Sequence, residues 1–249
     1  MVIGIDLHGT LLDRDWFIDK DLEKHLEESL LGLEGKTKLY ICTGNDLSFV
    51  KSHVPPSVRR YFTGYVLETG CVISRDKEEE RVVTTEQERE RIKNLRERIE
   101  ARGFSFDYMG RRLSSISLFT KNPKRLYQTI GLFLKTEKIE GVNLFWSDVA
   151  VDIVPSGYNK YTGLKLVSNR EKTTGIADSM NDAALAINVD YGFLPKNAPG
   201  ELLDYIRKRG RKLVNIKDVS SLNQSCVVQA NKERTEGVVE ILNLIGRLI

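Results

Sequence analysis

Four short stretches of this chain carry residue types that could do chemistry together. The first is Ile5-Asp6-Leu7-His8-Gly9-Thr10, where a carboxylate closes an apolar run and a turn follows at once. A buried Asp has to be paired, protonated or bound to a metal. At a strand end it can hold a hard cation, or it can simply cap a helix. The second is Thr43-Gly44-Asn45, which closes another apolar run. A hydroxyl, a glycine and an amide can cradle phosphate oxygens, or make an ordinary turn. The third is Lys160, which opens a helical pattern after Pro155-Ser156-Gly157-Tyr158-Asn159. A lysine there opposes the helix dipole, which is useful where an anion sits and otherwise marks a surface side chain. The fourth is Ala177-Asp178-Ser179-Met180-Asn181-Asp182. One acid at a strand–helix junction serves as a cap. Two acids with Asn181 exceed what capping needs and suit Mg²⁺, which takes a few carboxylates together with water and phosphate oxygens.

Stretches of this kind work where the strand ends of an open parallel sheet converge, and the surrounding pattern is of that type. Residues 2–7, 38–43, 65–67 and 72–73 read as strands, and residues 19–33 and 46–53 as helices. This alternation predicts an α/β core with a parallel sheet covered by helices. The texture changes after residue 75. An amphipathic helix over 85–102 and strand signals near 104–108 and 114–119 are followed by a helix from Pro123 to about 138 and strands at 142–146 and 149–154. Helix–strand–strand, twice over, predicts a small antiparallel sheet backed by two helices. From Tyr158 the strand–helix alternation resumes, with strands at 173–177, 191–194 and 212–216 and a last helix over 235–248. The expected organisation is a core of residues 1–74 and 155–249 with an α+β insert at 75–154. Arg111 and Arg112 read as an exposed hairpin turn of that insert, or, with Ser115, as residues facing a ligand.

Composition excludes several classes. The 38 Lys and Arg nearly cancel the 35 Asp and Glu, for a net charge of +3, and no clustered basic face marks a nucleic-acid binder. Three cysteines, Cys42, Cys71 and Cys226, have no metal-ligand spacing and fit a reducing compartment. No apolar run is long enough to cross a membrane and no secretory leader is evident, so the expectation is a soluble cytoplasmic protein, monomer or homodimer. His25 and His53 read as surface residues.

The four stretches, in this order, resemble the motifs of the haloacid dehalogenase superfamily: D-x-D-G-T, then Ser or Thr, then Lys, then G-D-x-x-x-D. The insert between the second and third is similar to the type-two cap of that superfamily's Cof-like and sugar-phosphatase branch, and Val66-Leu67-Glu68-Thr69-Gly70 resembles the branch's E-N-G strand. The resemblance implies a Rossmann-like core with an inserted cap, and a Mg²⁺-dependent phosphatase for a small phosphorylated metabolite such as a sugar phosphate, phosphoglycolate or a glycosyl-phosphoglycerate. It implies Asp6 as the nucleophile that forms an aspartyl-phosphate. Asp6, the backbone carbonyl of His8, Asp178 and Asp182 would serve the metal, and Thr43, Gly44, Asn45, Lys160 and Asn181 the phosphoryl group. Position 8 departs from the pattern, because His8 stands where the second Asp acts as acid and base; it remains a candidate catalytic residue beside Asp6 and Lys160, since an imidazolium there could protonate the leaving group and a neutral imidazole could activate water. The nearby acids favour a charged imidazole and Mg²⁺ opposes it. Two alternatives follow: a phosphate-ligand or protein-binding module with slow or lost turnover, and a phosphomutase. Ala177 replaces a glycine, and Asn45 stands where the branch often has arginine.

Overall fold

Val2–Asp6 (β1) is a strand of five buried residues, as a strand covered on both faces must be. The computed structural model describes every residue except 14, 78 and 148. After β1 come α1 (Lys20–Leu31), β2 (Lys38–Cys42), α2 (Leu47–His53), α3 (Pro56–Arg59), β3 (Gly64–Leu67), β4 (Val72–Ser74) and β5 (Arg81–Val82). The insert contributes α4 (Glu86–Arg102), β6 (Tyr108–Gly110), β7 (Ile116–Phe119), α5 (Pro123–Thr136), β8 (Val142–Trp146) and β9 (Ala150–Pro155). The chain ends with α6 (Lys160–Ser168), β10 (Thr173–Ile176), α7 (Ala183–Ile187), β11 (Tyr191–Leu194), α8 (Gly200–Lys208), β12 (Lys212–Asn215), β13 (Cys226–Gln229) and α9 (Arg234–Leu248).

Among the described residues the strands form two sheets, ordered β12-β13-β11-β10-β1-β2-β3-β4-β5 and β6-β7-β9-β8. Every pair from β12 to β3 is parallel. β4 and β5 run antiparallel. This departs from a purely parallel reading of the core, and the cause is the short turn between β3 and β4, since a parallel return needs a crossover of a dozen residues or more. Strand alternation splits the core in two. Ile3, Ile5 and Ile41 pack on Leu26 and Leu30 of α1 and Val238 and Ile241 of α9. Val2, Tyr40 and Cys42 pack on Leu164 of α6, Leu185 of α7 and Leu202 of α8. β13 was not anticipated: it lies between β11 and β12, and its adjacent Val227 and Val228 sit in a polar stretch that offers no periodicity.

The four-stranded sheet is antiparallel, and its helices α4 and α5 bury Ile92, Leu95, Ile99, Leu126 and Ile130 against Ile116, Leu118, Val151 and Ile153. Side chains alternate along a strand, so Ser117, Phe119 and Asp152 lie on the opposite face, where they line a cavity with residues of the large sheet's strand ends.

One helix has to come unusually close. A Cβ on Gly163 of α6 would lie 2.4 Å from Val66 Cγ1 and 2.9 Å from Gly70 Cα. This approach sets Lys160, the first residue of α6, over the end of β1. Gly163→Ala should therefore destabilise the protein by about 1–3 kcal/mol through overpacking, although alanine is the better helix former by up to about 1 kcal/mol. Thermal unfolding reads this as a drop in Tm of about 2–4 °C per kcal/mol. A variant that melts at or above the wild-type temperature would show that α6 has room to shift.

Candidate active site

Parallel neighbours β10, β1 and β2 deliver their C-terminal ends to one edge, with Ile5 in register with Ile176 and Asp6 with Cys42. Asp6 closes β1, Thr43 follows β2, and Asp178 follows β10 by two residues. All three are buried. Lys160 Nζ lies 2.5 Å from Asp6 Oδ1 and also pairs with Asp182 Oδ1. Thr10 Oγ1 bridges Asp6 Oδ2 at 3.4 Å and Asp178 Oδ1 at 3.2 Å. Asp182 Oδ2 accepts from Ser179 Oγ at 2.7 Å. The turn after β1 requires its glycine: Gly9 has φ +74°, and a Cβ there would sit 2.2 Å from Asp178 Oδ2.

Charge is unbalanced in this cluster. One oxygen from each of Asp6, Asp178 and Asp182 lies within 4.8 Å of the others, and the basic partner inside the cluster is Lys160. Burial opposes a charged Lys160, but Asp182 and Asp6 override it and raise its pKa. Burial, then Asp6, pushes Asp182 up to about 6. Burial, then Asp6 and Asp182, holds Asp178 well above the ordinary carboxylate range. Three crowded acids with one ammonium are a donor set that a divalent cation would relieve. The residues present therefore fit Mg²⁺.

Thr43 Oγ1 accepts from the backbone N–H of Asn45 at 3.2 Å and from Asn45 Nδ2 at 3.4 Å. Gly44, Asn45 and Asn181 line the same cavity of about 310 Å³, as do Asp6, His8, Thr43, Lys160 and Asp178. Asp182 sits beneath it, paired with Lys160. His8 packs between Trp16, at 5.2 Å between ring centres, and Phe49, at 5.0 Å. Its pKa falls to about 4, chiefly by burial and next by the charge of Lys160, against the pull of Asp182. The acids thus do not win at His8, and its imidazole is neutral near pH 7.

Asn197 was not singled out from sequence. Asn197 Nδ2 donates to Asp178 Oδ2 at 3.1 Å and to Gly9 O at 2.8 Å. It follows β11, whose end reaches the same sheet edge, and that position is the signal that could have found it. Arg112 corrects the exposed-hairpin reading: its side chain is 5% exposed and pairs with Asp46 Oδ2 at 3.1 Å. Ser115 Oγ donates to Glu68 at 3.0 Å, a buried contact with a core residue. Asp152 accepts from Ser117 Oγ at 2.5 Å, and burial raises its pKa.

Residues 3–114 match the family model described as haloacid dehalogenase-like hydrolase. No curated protein sequence matches the chain. Its fold is similar to that of the sucrose-phosphatase of Synechocystis sp. PCC6803, solved with sucrose and phosphate, at 20% identity and a TM-score of 0.68, covering 97% of this chain and 96% of that one. A haloacid dehalogenase-like hydrolase from Bacteroides thetaiotaomicron aligns at 15% identity and a TM-score of 0.67, covering 98% of both chains. A HAD/COF-like hydrolase from Plasmodium vivax aligns at 16% and 0.64, covering 99% of this chain and 94% of that one. The smaller sheet and its helices, the expected cap, face the strand ends of the large sheet, and Ser117 and Asp152 line the cavity they share. No helix among the described residues is long and apolar enough to cross a membrane.

The raised acids set the pH dependence of cation binding. At pH 5 Asp182 is largely protonated, so a cation must displace a proton; above its pKa of about 6 that competition ends. Magnesium should therefore raise Tm more at pH 8 than at pH 5, approaching about 2.7 kcal/mol at a hundred times Kd. The comparison is made as the difference with and without magnesium, because depressed His8 contributes stability that grows with pH between about 4 and 6.5 in either condition. A magnesium-induced shift independent of pH would show that the acids do not carry the proton.

Proposed function

We propose that this chain is a Mg²⁺-dependent phosphatase acting on a small phosphorylated metabolite. The observation that carries the reading is Asp6: a carboxylate held 2.5 Å from Lys160, grouped with two further acids and opening on a cavity lined by Thr43, Gly44 and Asn181. Asp6 attacks phosphorus, the bond to the leaving alcohol breaks, and water then hydrolyses the aspartyl-phosphate to release phosphate and regenerate the carboxylate. Lys160, Thr43 and Asn181 hold the phosphoryl oxygens, since phosphoryl transfer needs positioning and charge neutralisation above all. When bound, Mg²⁺ supplies positive charge against the phosphoryl oxygens and the three acids.

The cap face supports a hydroxylated leaving group. Trp146, Phe119 and Trp16 provide apolar walls, and Asp152 with Ser117 provides polar atoms in the same cavity. Flat aromatic faces with a few convergent acceptors suit a sugar or a phosphoglycerate-type compound. The neutral state of His8 favours a second reading, a site that binds phosphate and turns over slowly, because the expected acid–base group at position 8 carries no charge near pH 7.

One experiment separates these. Phosphate release from p-nitrophenyl phosphate and from a metabolite panel is measured with Mg²⁺ and with chelator. The phosphatase reading expects Mg²⁺-dependent release that falls more than about a thousandfold in Asp6→Asn. Absence of release from every substrate, with release appearing in His8→Asp, supports the slow-turnover reading, and an isomerised product supports a phosphomutase. Release that survives Asp6→Asn removes Asp6 as nucleophile.

A further inference from the structure

Arg112 belongs to the cap, yet every core acceptor it reaches lies in the loop after β2. Nε donates to Gly44 O at 3.1 Å, Nη2 to Asn45 Oδ1 at 2.8 Å and Nη1 to Asp46 Oδ2 at 3.1 Å; Nη1 also donates to Arg111 O at 2.8 Å. A guanidinium has only donors and keeps its charge at any accessible pH. The amide atom of Asn45 that faces it is therefore the oxygen, and the other end is the NH₂ group. That NH₂ lies 3.4 Å from Thr43 Oγ1 and 3.4 Å from His8 Nδ1. An N–H of Asn45 facing Nδ1 is tolerated only where Nδ1 presents its lone pair; a proton on Nδ1 would oppose donor to donor. We infer that Arg112 is a positioning residue which, through Asn45, holds His8 in the single tautomer that carries its proton on Nε2.

The consequence is chemical. His8 lines the cavity, and its Nε2 is buried without a hydrogen-bond partner among the described residues. A buried N–H wants an acceptor, and the oxygen that becomes the leaving alkoxide is the one the proposed reaction brings. In this tautomer His8 stabilises that oxygen as a neutral hydrogen-bond donor. It has no free lone pair with which to take a proton from attacking water. The ring cannot readily turn over to exchange its nitrogens, because Trp16 and Phe49 flank it and Phe49 is itself stacked on His53 at 3.8 Å. The core loop thus depends on the cap for the orientation of one amide, and this chain's asparagine and cap arginine act as a pair. The inference deepens the phosphatase reading and rests on it for the identity of the leaving oxygen, but not for the tautomer.

The test is ¹⁵N NMR of the full chain labelled selectively at histidine. The sequence has three histidines, and His25→Asn and His53→Asn assign the spectrum by elimination. His8 Nδ1 should resonate as a pyridine-type nitrogen and Nε2 as a pyrrole-type nitrogen. Asn45→Asp replaces the donor by an acceptor and should exchange the two, with the proton drawn to Nδ1. Arg112→Met, which keeps an apolar stem and removes the donors, should move both resonances toward an average of the two forms. A pyrrole-type Nδ1 in the wild type would overturn the inference, as would an unchanged His8 spectrum in both variants. A folding failure of Arg112→Met leaves the wild-type and Asn45→Asp spectra to decide. Absence of phosphate release from every substrate would sink the phosphatase reading while these spectra stood, and the reverse outcome is equally readable.

Discussion

Three buried carboxylates share one buried lysine, and the rest of the structure is arranged around that imbalance. Asp6, Asp178 and Asp182 could not be brought together in an apolar interior without a cation, because each unpaired charge taken from water costs several kcal/mol. Lys160 meets two of them directly. Thr10 and Asn197 spread hydrogen bonds over Asp6 and Asp178. The backbone makes this possible through glycine: Gly9 clears Asp178, and Gly70, at φ +93°, lets Asn159 O come within 2.2 Å of where its Cβ would be. The residual negative charge makes the cluster a donor set that suits a divalent cation.

The same logic governs how the cap meets the core. Glu68, buried and raised in pKa first by burial, accepts from the backbone N–H groups of Leu113 and Ser114 at 2.7 and 2.8 Å and from Ser115 Oγ. It stands in a run of three left-handed residues, Glu68, Thr69 and Gly70, at φ 46°, 55° and 93°. Two non-glycine residues there cost about 1–3 kcal/mol each, and they persist because the turn aims a carboxylate at three donors. Arg112 makes the reverse crossing, from cap to core. A carboxylate and a guanidinium, each hydrogen-bonded to partners on the other body, tie the cap to the core beside the cavity.

Much of this was legible in the sequence. Asp6, Thr43 and Asp178 mark strand ends, which converge in a parallel sheet, whereas Lys160 opens a helix and joins them in the sequence only through the resemblance of the four stretches, in order, to the superfamily's motifs. The repeated helix–strand–strand pattern of the insert is also visible, because α4 and α5 each carry a clean apolar stripe. What was not legible depends on pairing across the two bodies. Arg112 sits beside Arg111 in a turn, and nothing local distinguishes the buried arginine from the exposed one. Asn197 and Asp152 act through partners far away in sequence. β13 is short and flanked by polar residues, so its burial is decided by β11 and β12 on either side.

His8 is the most instructive departure, because two opposed effects had to be weighed. Counting charges in the sequence leaves the imidazole undecided, with three acids favouring its charged form and Mg²⁺ opposing it. In the structure two of those acids are already engaged with Lys160, and burial between Trp16 and Phe49 dominates. A second aspartate at this position would add a fourth carboxylate to a cluster with one ammonium, inside an aromatic pocket that offers it one amide. A neutral imidazole adds no charge, fills the space between two rings, and still presents a polar hydrogen. The aromatic wall and the histidine therefore belong together, and restoring an acid at position 8 without reopening that wall to water would trade a tolerated neutral group for an unpaired buried charge.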